Sequence, residues 1–306
     1  MADSGLNATS ALRIQIQIVS DTTIRQTEMT AFQNTVLVCE ANPVFCEPQV
    51  PSDDIIAERD KIAALFRLRL NALDQLNKAY DALKREAEYD ASADLSGAMN
   101  NLTSSVNTYI DAASTAAPAA SLTTRAFGQI ATNVSSIVAR RNQAQRLEEA
   151  NLIIGEAAAA LSDALKAEKS VYVAFLQDWA NRENEVRAIL IKNGVTSRAS
   201  VLASLADAVG APLSGDAEKT ISKSDLLKAS VEAVALSQTH RRRVIAEGTY
   251  NAAIRGLDQL SNAHRRFSEF SPSDLDRVNL ALAELNAYAD QLNEFRAARA
   301  ADENGG

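Results

Sequence analysis

Apolar residues recur at steps of three and four along most of this chain. The clearest run is Ile154, Ala158, Leu161, Leu165, Glu168, Tyr172, Phe175, Trp179, Arg182, Val186 and Ile189, a helical seam with two polar interruptions, Glu168 and Arg182. Upstream, Phe127, Ile130, Val134, Ile137, Arg141 and Ala144 keep the same rhythm, and no proline falls between Ser121 and Asn193. The pattern predicts one unbroken helix over that stretch, roughly 110 Å long, which is stable only with other helices lying along it. Within it, the polar segment from Ala139 to Asn151 marks either a hinge or the place where the surrounding bundle thins. Glu168 and Arg182, if buried on the seam, each need a partner on a neighbouring helix and fix its register.

The flanking segments read in the same way. Leu12, Ile14, Ile16 and Ile18 alternate as a strand would, but no second strand is available to pair with them, so residues 11–38 are read as helix. Residues 39–52 hold Pro43, Pro48 and Pro51 and form a loop, with Ser52 capping the next helix. That helix carries Ile55, Ile56, Ile62, Leu65, Phe66, Leu70, Leu73, Leu76, Tyr80 and Leu83; its pattern weakens at Asp90–Asp94 and resumes as Leu95, Met99, Leu102, Val106, Tyr109 and Ile110. Residues 194–223 are a linker with a short helix at about Ser197–Val209 and a loop through Gly210, Pro212 and Gly215. Ser224 caps a further long helix ending near Phe270, and Pro272 opens the last one. The expected fold is all-α: a single elongated antiparallel bundle over 1–306, of five long coiled-coil-like helices plus one short.

Two features of organisation stand out. Leu73-Asp-Gln-Leu-Asn-Lys-Ala-Tyr80 matches Leu257-Asp-Gln-Leu-Ser-Asn-Ala-His264, and each precedes an Asp-Leu pair, Asp94-Leu95 and Asp274-Leu275. Duplication and the small residue repertoire of helices both account for the match. The second feature is the tract 91–146, most of it uncharged and rich in Ala, Ser, Thr and Asn. Between Ala91 and Ala139 only Asp94, Asp111 and Arg125 carry an acidic or strongly basic side chain. If the chain stays straight at Asp90–Asp94, this hairpin protrudes as an arm open to a protein partner. A turn there folds it back into the bundle.

Composition narrows the classes. Hydrophobic residues make up 46% of the 306, but aromatics only 5%, which suits thin alanine-rich helical interfaces better than a thick core. A net charge of −8 argues against a nucleic-acid partner. No apolar run is long enough for a transmembrane helix, and the first twenty residues do not form a signal-peptide core.

The candidate chemistry is sparse. Cys39 and Cys46 are the two cysteines. A proline-bent loop can bring them within disulfide reach, which would imply an oxidising, periplasmic or secreted location rather than the cytoplasm. The histidines sit in two basic clusters, His240-Arg241-Arg242-Arg243 and His264-Arg265-Arg266. Each is either a solvated face paired with acidic neighbours or a local anion site. No nucleophile, phosphate-loop or metal-ligand motif is found, so no catalytic residue, cofactor or metal is expected. The expected function is a non-catalytic structural or protein-binding scaffold of a bacterial cell envelope, with homo-oligomerisation left open. The alternatives are a pore-forming or membrane-shaping helical protein and a ligand-sensing bundle.

Overall fold

A computed structural model of the chain describes residues 31–47, 53–89, 91–116 and 142–268. Every regular element among them is helical, as the pattern predicts. Residues 31–41 form the described part of α1 and lead into a 3-10 turn at Pro43–Phe45. Then come α2 (Asp53–Tyr89), α3 (Ser92–Ala116), α4 (Gln143–Lys192), α5 (Arg198–Ala208), α6 (Ala217–Lys223) and α7 (Asp225–Ser268). The expected helices before residue 31 and after Pro272, the Ser52 cap and the seam from Phe127 to Arg141 lie outside the described residues.

The described chain forms two compact units. The first holds residues 58–89, 91–116, 142–171 and 248–268; the second holds 31–47, 53–57 and 172–247. In the first unit, side-chain pairs fix the direction of each helix. Asn71 donates to Ser105 at 3.0 Å and Arg85 to Asp94 at 3.0 Å, so α3 runs antiparallel to α2. On a straight continuation, residues 71 and 105 would stand about 50 Å apart. The chain therefore reverses after Tyr89, and the described part of the neutral tract is no protruding arm. Leu95, Met99, Leu102, Val106 and Tyr109 of α3 are fully buried. Burying that face on α2 outweighs extending it into water, where two helices alone cover little apolar surface.

Arg69 with Glu168, and Glu86 with Arg146, set α4 antiparallel to α2. Asn151 with His264, and Ser162 with Asp258, set α7 antiparallel to α4. It follows that α2 and α7 are parallel, as are α3 and α4. The matched octapeptides thus lie on parallel helices, and their last residues, Tyr80 and His264, touch each other.

The second unit is built around α1, the C-terminal part of α4 and the N-terminal part of α7. Asn34 accepts from Arg182 at 3.2 Å, and Glu40 takes hydrogen bonds from Lys192 and Asn193, so α1 runs parallel to α4. α4 ends at Gly194, whose φ of 69° closes the turn, with Val195 N–H donating back to the Leu190 carbonyl at 2.9 Å. Ser197 caps α5 by accepting from the Ser200 amide at 3.1 Å. Glu218 ties α6 to α5, accepting from the Ala199 amide at 2.9 Å, a backbone contact that lowers its pKa.

Three expectations need correction. The long helix is not unbroken: the chain bends at Asn142, whose side chain accepts from the Ala144 amide at 2.9 Å and restarts the helix. Ala144, expected on the seam, is exposed while Arg146 is buried. Arg182 is also exposed, hydrogen-bonded to Asn34 rather than sunk in a core. Finally, the linker 194–223 holds two short helices, not one, because Ala217–Lys223 winds up after Gly215.

Candidate functional site

The first unit gathers its polar side chains into clusters inside an apolar bundle. The largest centres on Glu168 of α4, which is 2% exposed. One carboxylate oxygen, Oε2, accepts from the Tyr109 hydroxyl of α3 at 2.6 Å. The other, Oε1, accepts from the Tyr250 hydroxyl of α7 at 2.5 Å and from Arg69 Nη1 of α2. Arg69 also donates to the Tyr250 oxygen at 3.1 Å, and its guanidinium lies 4.5 Å from the centre of the Phe66 ring. One side chain from each of four helices thus converges on a single buried ion pair.

Burial works against the charge on Arg69, but Glu168 beside it, with Tyr250 and Tyr109, more than offsets this and leaves its pKa above the ordinary value. Burial, reinforced by the Glu168 charge, pushes the Tyr109 hydroxyl well up, so it stays a proton donor. The carboxylate is held by three donors and is almost wholly buried. That suits fastening helices, because a general base needs an open lone pair facing a substrate.

A second cluster is uncharged. His264 of α7 touches Tyr80 of α2 through Nε2 at 2.6 Å and Asn151 Oδ1 of α4 through Nδ1 at 2.6 Å. The Asn151 amide nitrogen donates to the His264 carbonyl at 3.0 Å, so its oxygen must face the ring. That oxygen only accepts, so Nδ1 carries the proton and Nε2 accepts from the Tyr80 hydroxyl. Burial lowers the His264 pKa to about 3 and raises that of Tyr80. Gly155 makes room for this packing, since a Cβ there would come within 2.8 Å of the His264 Cβ.

The third cluster joins α2 to the start of α4. Arg146 Nε and Nη2 both reach Glu86 Oε1 at 2.8 Å, and Gln143 donates to the Glu86 carbonyl at 2.5 Å. These two helix-starting contacts hold the segment just after the Asn142 bend.

The site residues expected from sequence fare differently. Cys39 and Cys46 lie at disulfide distance, with Cα atoms 4.4 Å apart, so the proline-bent turn does bring them together. The two basic clusters do not form matching anion sites. His240 and Arg241 are exposed on α7, whereas Arg243 is half-buried, donating to Gln177 at 2.6 Å and facing Glu247 at 3.4 Å. The Arg242 side chain lies outside what the structure describes. His264 is buried and neutral, so it cannot join the exposed Arg265 and Arg266 in holding an anion. Its position explains this: Leu257, Leu260 and His264 follow steps of three and four, which puts the imidazole on the buried stripe.

Sequence reasoning passed over Arg69, Glu86, Tyr109's hydroxyl and Asn151 as polar partners. A signal was present, since Arg69 stands four residues after Leu65 and four before Leu73, on the apolar stripe of α2. Among the described residues no group of acidic, histidine or cysteine side chains is arranged to hold a metal, and no helix is long and apolar enough to cross a membrane. No family model matches the chain, and no curated protein or solved structure is detectably similar to it.

Proposed function

We propose that this chain is a non-catalytic helical bundle serving as a structural or protein-binding element of a bacterial-type cell envelope. The observation that carries this reading is the Glu168 cluster. An arginine, a glutamate and two tyrosines, the usual raw material of acid–base or ligand sites, are turned on one another across four helices. His264 is likewise engaged at both ring nitrogens. Chemistry spent in this way specifies which helices meet and at what height. The cysteine pair supports a location outside the reducing cytoplasm.

The test is affinity capture of the tagged full chain from its native envelope, beside a Tyr109→Phe/Tyr250→Phe variant. A scaffold should retain the same protein partners in both forms. A variant that folds but loses a ligand-dependent signal or a turnover would overturn the reading in favour of a sensing or catalytic bundle. Thiol labelling of freshly isolated material provides a second check: free Cys39 and Cys46 would remove the support for export.

A further inference from the structure

The N-terminal part of α7 has one face packed and one face bare. Val231 and Ala235 are buried at 3% and 7%, while Leu226 and Leu236 on the other side are 77% and 57% exposed. Ala229, Ala233 and His240 share that bare side, and all three are exposed. The steps 226, 229, 233, 236 and 240 alternate three and four, which is the spacing of a helix-pairing seam rather than of a solvated surface.

The seam from 226 to 236 reads Leu-Ala-Ala-Leu with spacings of three, four and three. It is therefore the same in both directions. A two-fold axis passing beside residue 231 would set Leu226 against the other copy's Leu236 and Ala229 against its Ala233. Large residues then meet large and small meet small, the self-complementarity that an isologous contact demands. The paired alanines allow the helices to approach closely.

Charge selects the direction. Parallel pairing would place the His240–Arg243 run beside its own image. Antiparallel pairing separates the two runs by about 30 Å. Asp225 and the exposed Glu232 flank the stripe, and the chain is acidic overall, which disfavours an anionic lipid surface as the occupant.

We infer that this face of α7 is a seam for a second copy of the chain, paired antiparallel about residue 231. The inference stands apart from the functional reading above, because it rests on the helix face alone.

Single-cysteine additions test it on the full chain with its natural cysteines kept. Mixing Ala229→Cys with Ala233→Cys protein under mild oxidation should give a covalent dimer on a non-reducing gel. Each variant alone should give at least several-fold less, because its own image is displaced by about 6 Å along the axis. Sedimentation equilibrium should show concentration-dependent dimers that Leu236→Glu weakens at least tenfold, with helical circular dichroism unchanged. Efficient cross-linking of either variant with itself would overturn the antiparallel arrangement. A chain that stays monomeric at all concentrations would overturn the proposal, and monomers that float with phosphatidylglycerol vesicles would assign the face to lipid instead.

Discussion

The two compact units divide the buried surface unequally. The first carries most of the large buried side chains, among them Leu73, Leu76, Tyr80, Leu95, Met99, Leu102 and Ile153, and buries the ion pairs Arg69–Glu168 and Arg146–Glu86. In the second, the described buried residues are few, Gln33, Tyr172, Val186, Ile221, Val231 and Ala235, while Phe32, Val195, Leu205, Val209, Leu226 and Leu236 stand exposed. Helices α4 and α7 contribute to both with similar spacing, so periodicity does not separate them. What separates them is how many helix faces meet. Four helices around a common axis bury a continuous stripe on each, whereas a helix with fewer neighbours leaves part of its stripe in water.

That contrast predicts where substitutions hurt. The largest effect should come from breaking the Glu168 cluster. Glu168→Ala leaves Arg69 charged and unpaired in the core, at a cost of about 3–5 kcal/mol in chemical denaturation. Replacing the pair together, Arg69→Met with Glu168→Leu, should be much milder, and equal damage from both would mean that the buried pair is not the source. Hydrogen exchange should show the loss in α3 and leave α5 unchanged.

The next effect belongs to the second unit. Cys39→Ser with Cys46→Ser releases a short ring and should lower stability by about 2–3 kcal/mol at most, read as faster exchange in residues 31–41. Loss of protection in α3 would contradict the division into units. Gly155→Ala should cost about 1–3 kcal/mol, because the added Cβ collides with His264 in a packed core.

A further effect is gradual, a slope with pH. The unfolded chain binds a proton at its histidine below about pH 6.5, whereas folded His264 resists protonation until about 3. Its contribution is therefore fully present above pH 6.5 and is lost as pH falls through that window, by up to about 1.4 kcal/mol per pH unit. Denaturation of wild type and His264→Gln from pH 7 to 4 should show a steeper loss in the wild type. Identical slopes would place His264 in water.

Helix identity was legible because the apolar steps survive on the long elements, and the α2 and α3 stripes lie where the pattern put them. Chain reversal after Tyr89 was legible only as one of two alternatives, since the pattern weakens at Asp90–Asp94 but the residues that prove it, Asn71 with Ser105 and Arg85 with Asp94, are ordinary surface types. The buried ion pair was half legible. Glu168 interrupts a seam and so declares a need for a partner, but nothing local to it points to Arg69, 99 residues away. His264 was misread because a neighbouring pair of arginines suggested a surface, while its own spacing from Leu260 pointed inward.

The matched octapeptides give the parallel pair α2 and α7 an unusual genetic situation. Five of eight positions are the same residue, and a constant offset of 184 relates them. The last position is where the two segments meet, Tyr80 against His264. The imidazole spends its N–H on Asn151, so it has only an acceptor left for its neighbour, which the Tyr80 hydroxyl fills as donor. Drift at either codon is therefore judged by what the other encodes. Exchanging the two residues, Tyr80→His with His264→Tyr, should be tolerated better than the two single changes that make them alike.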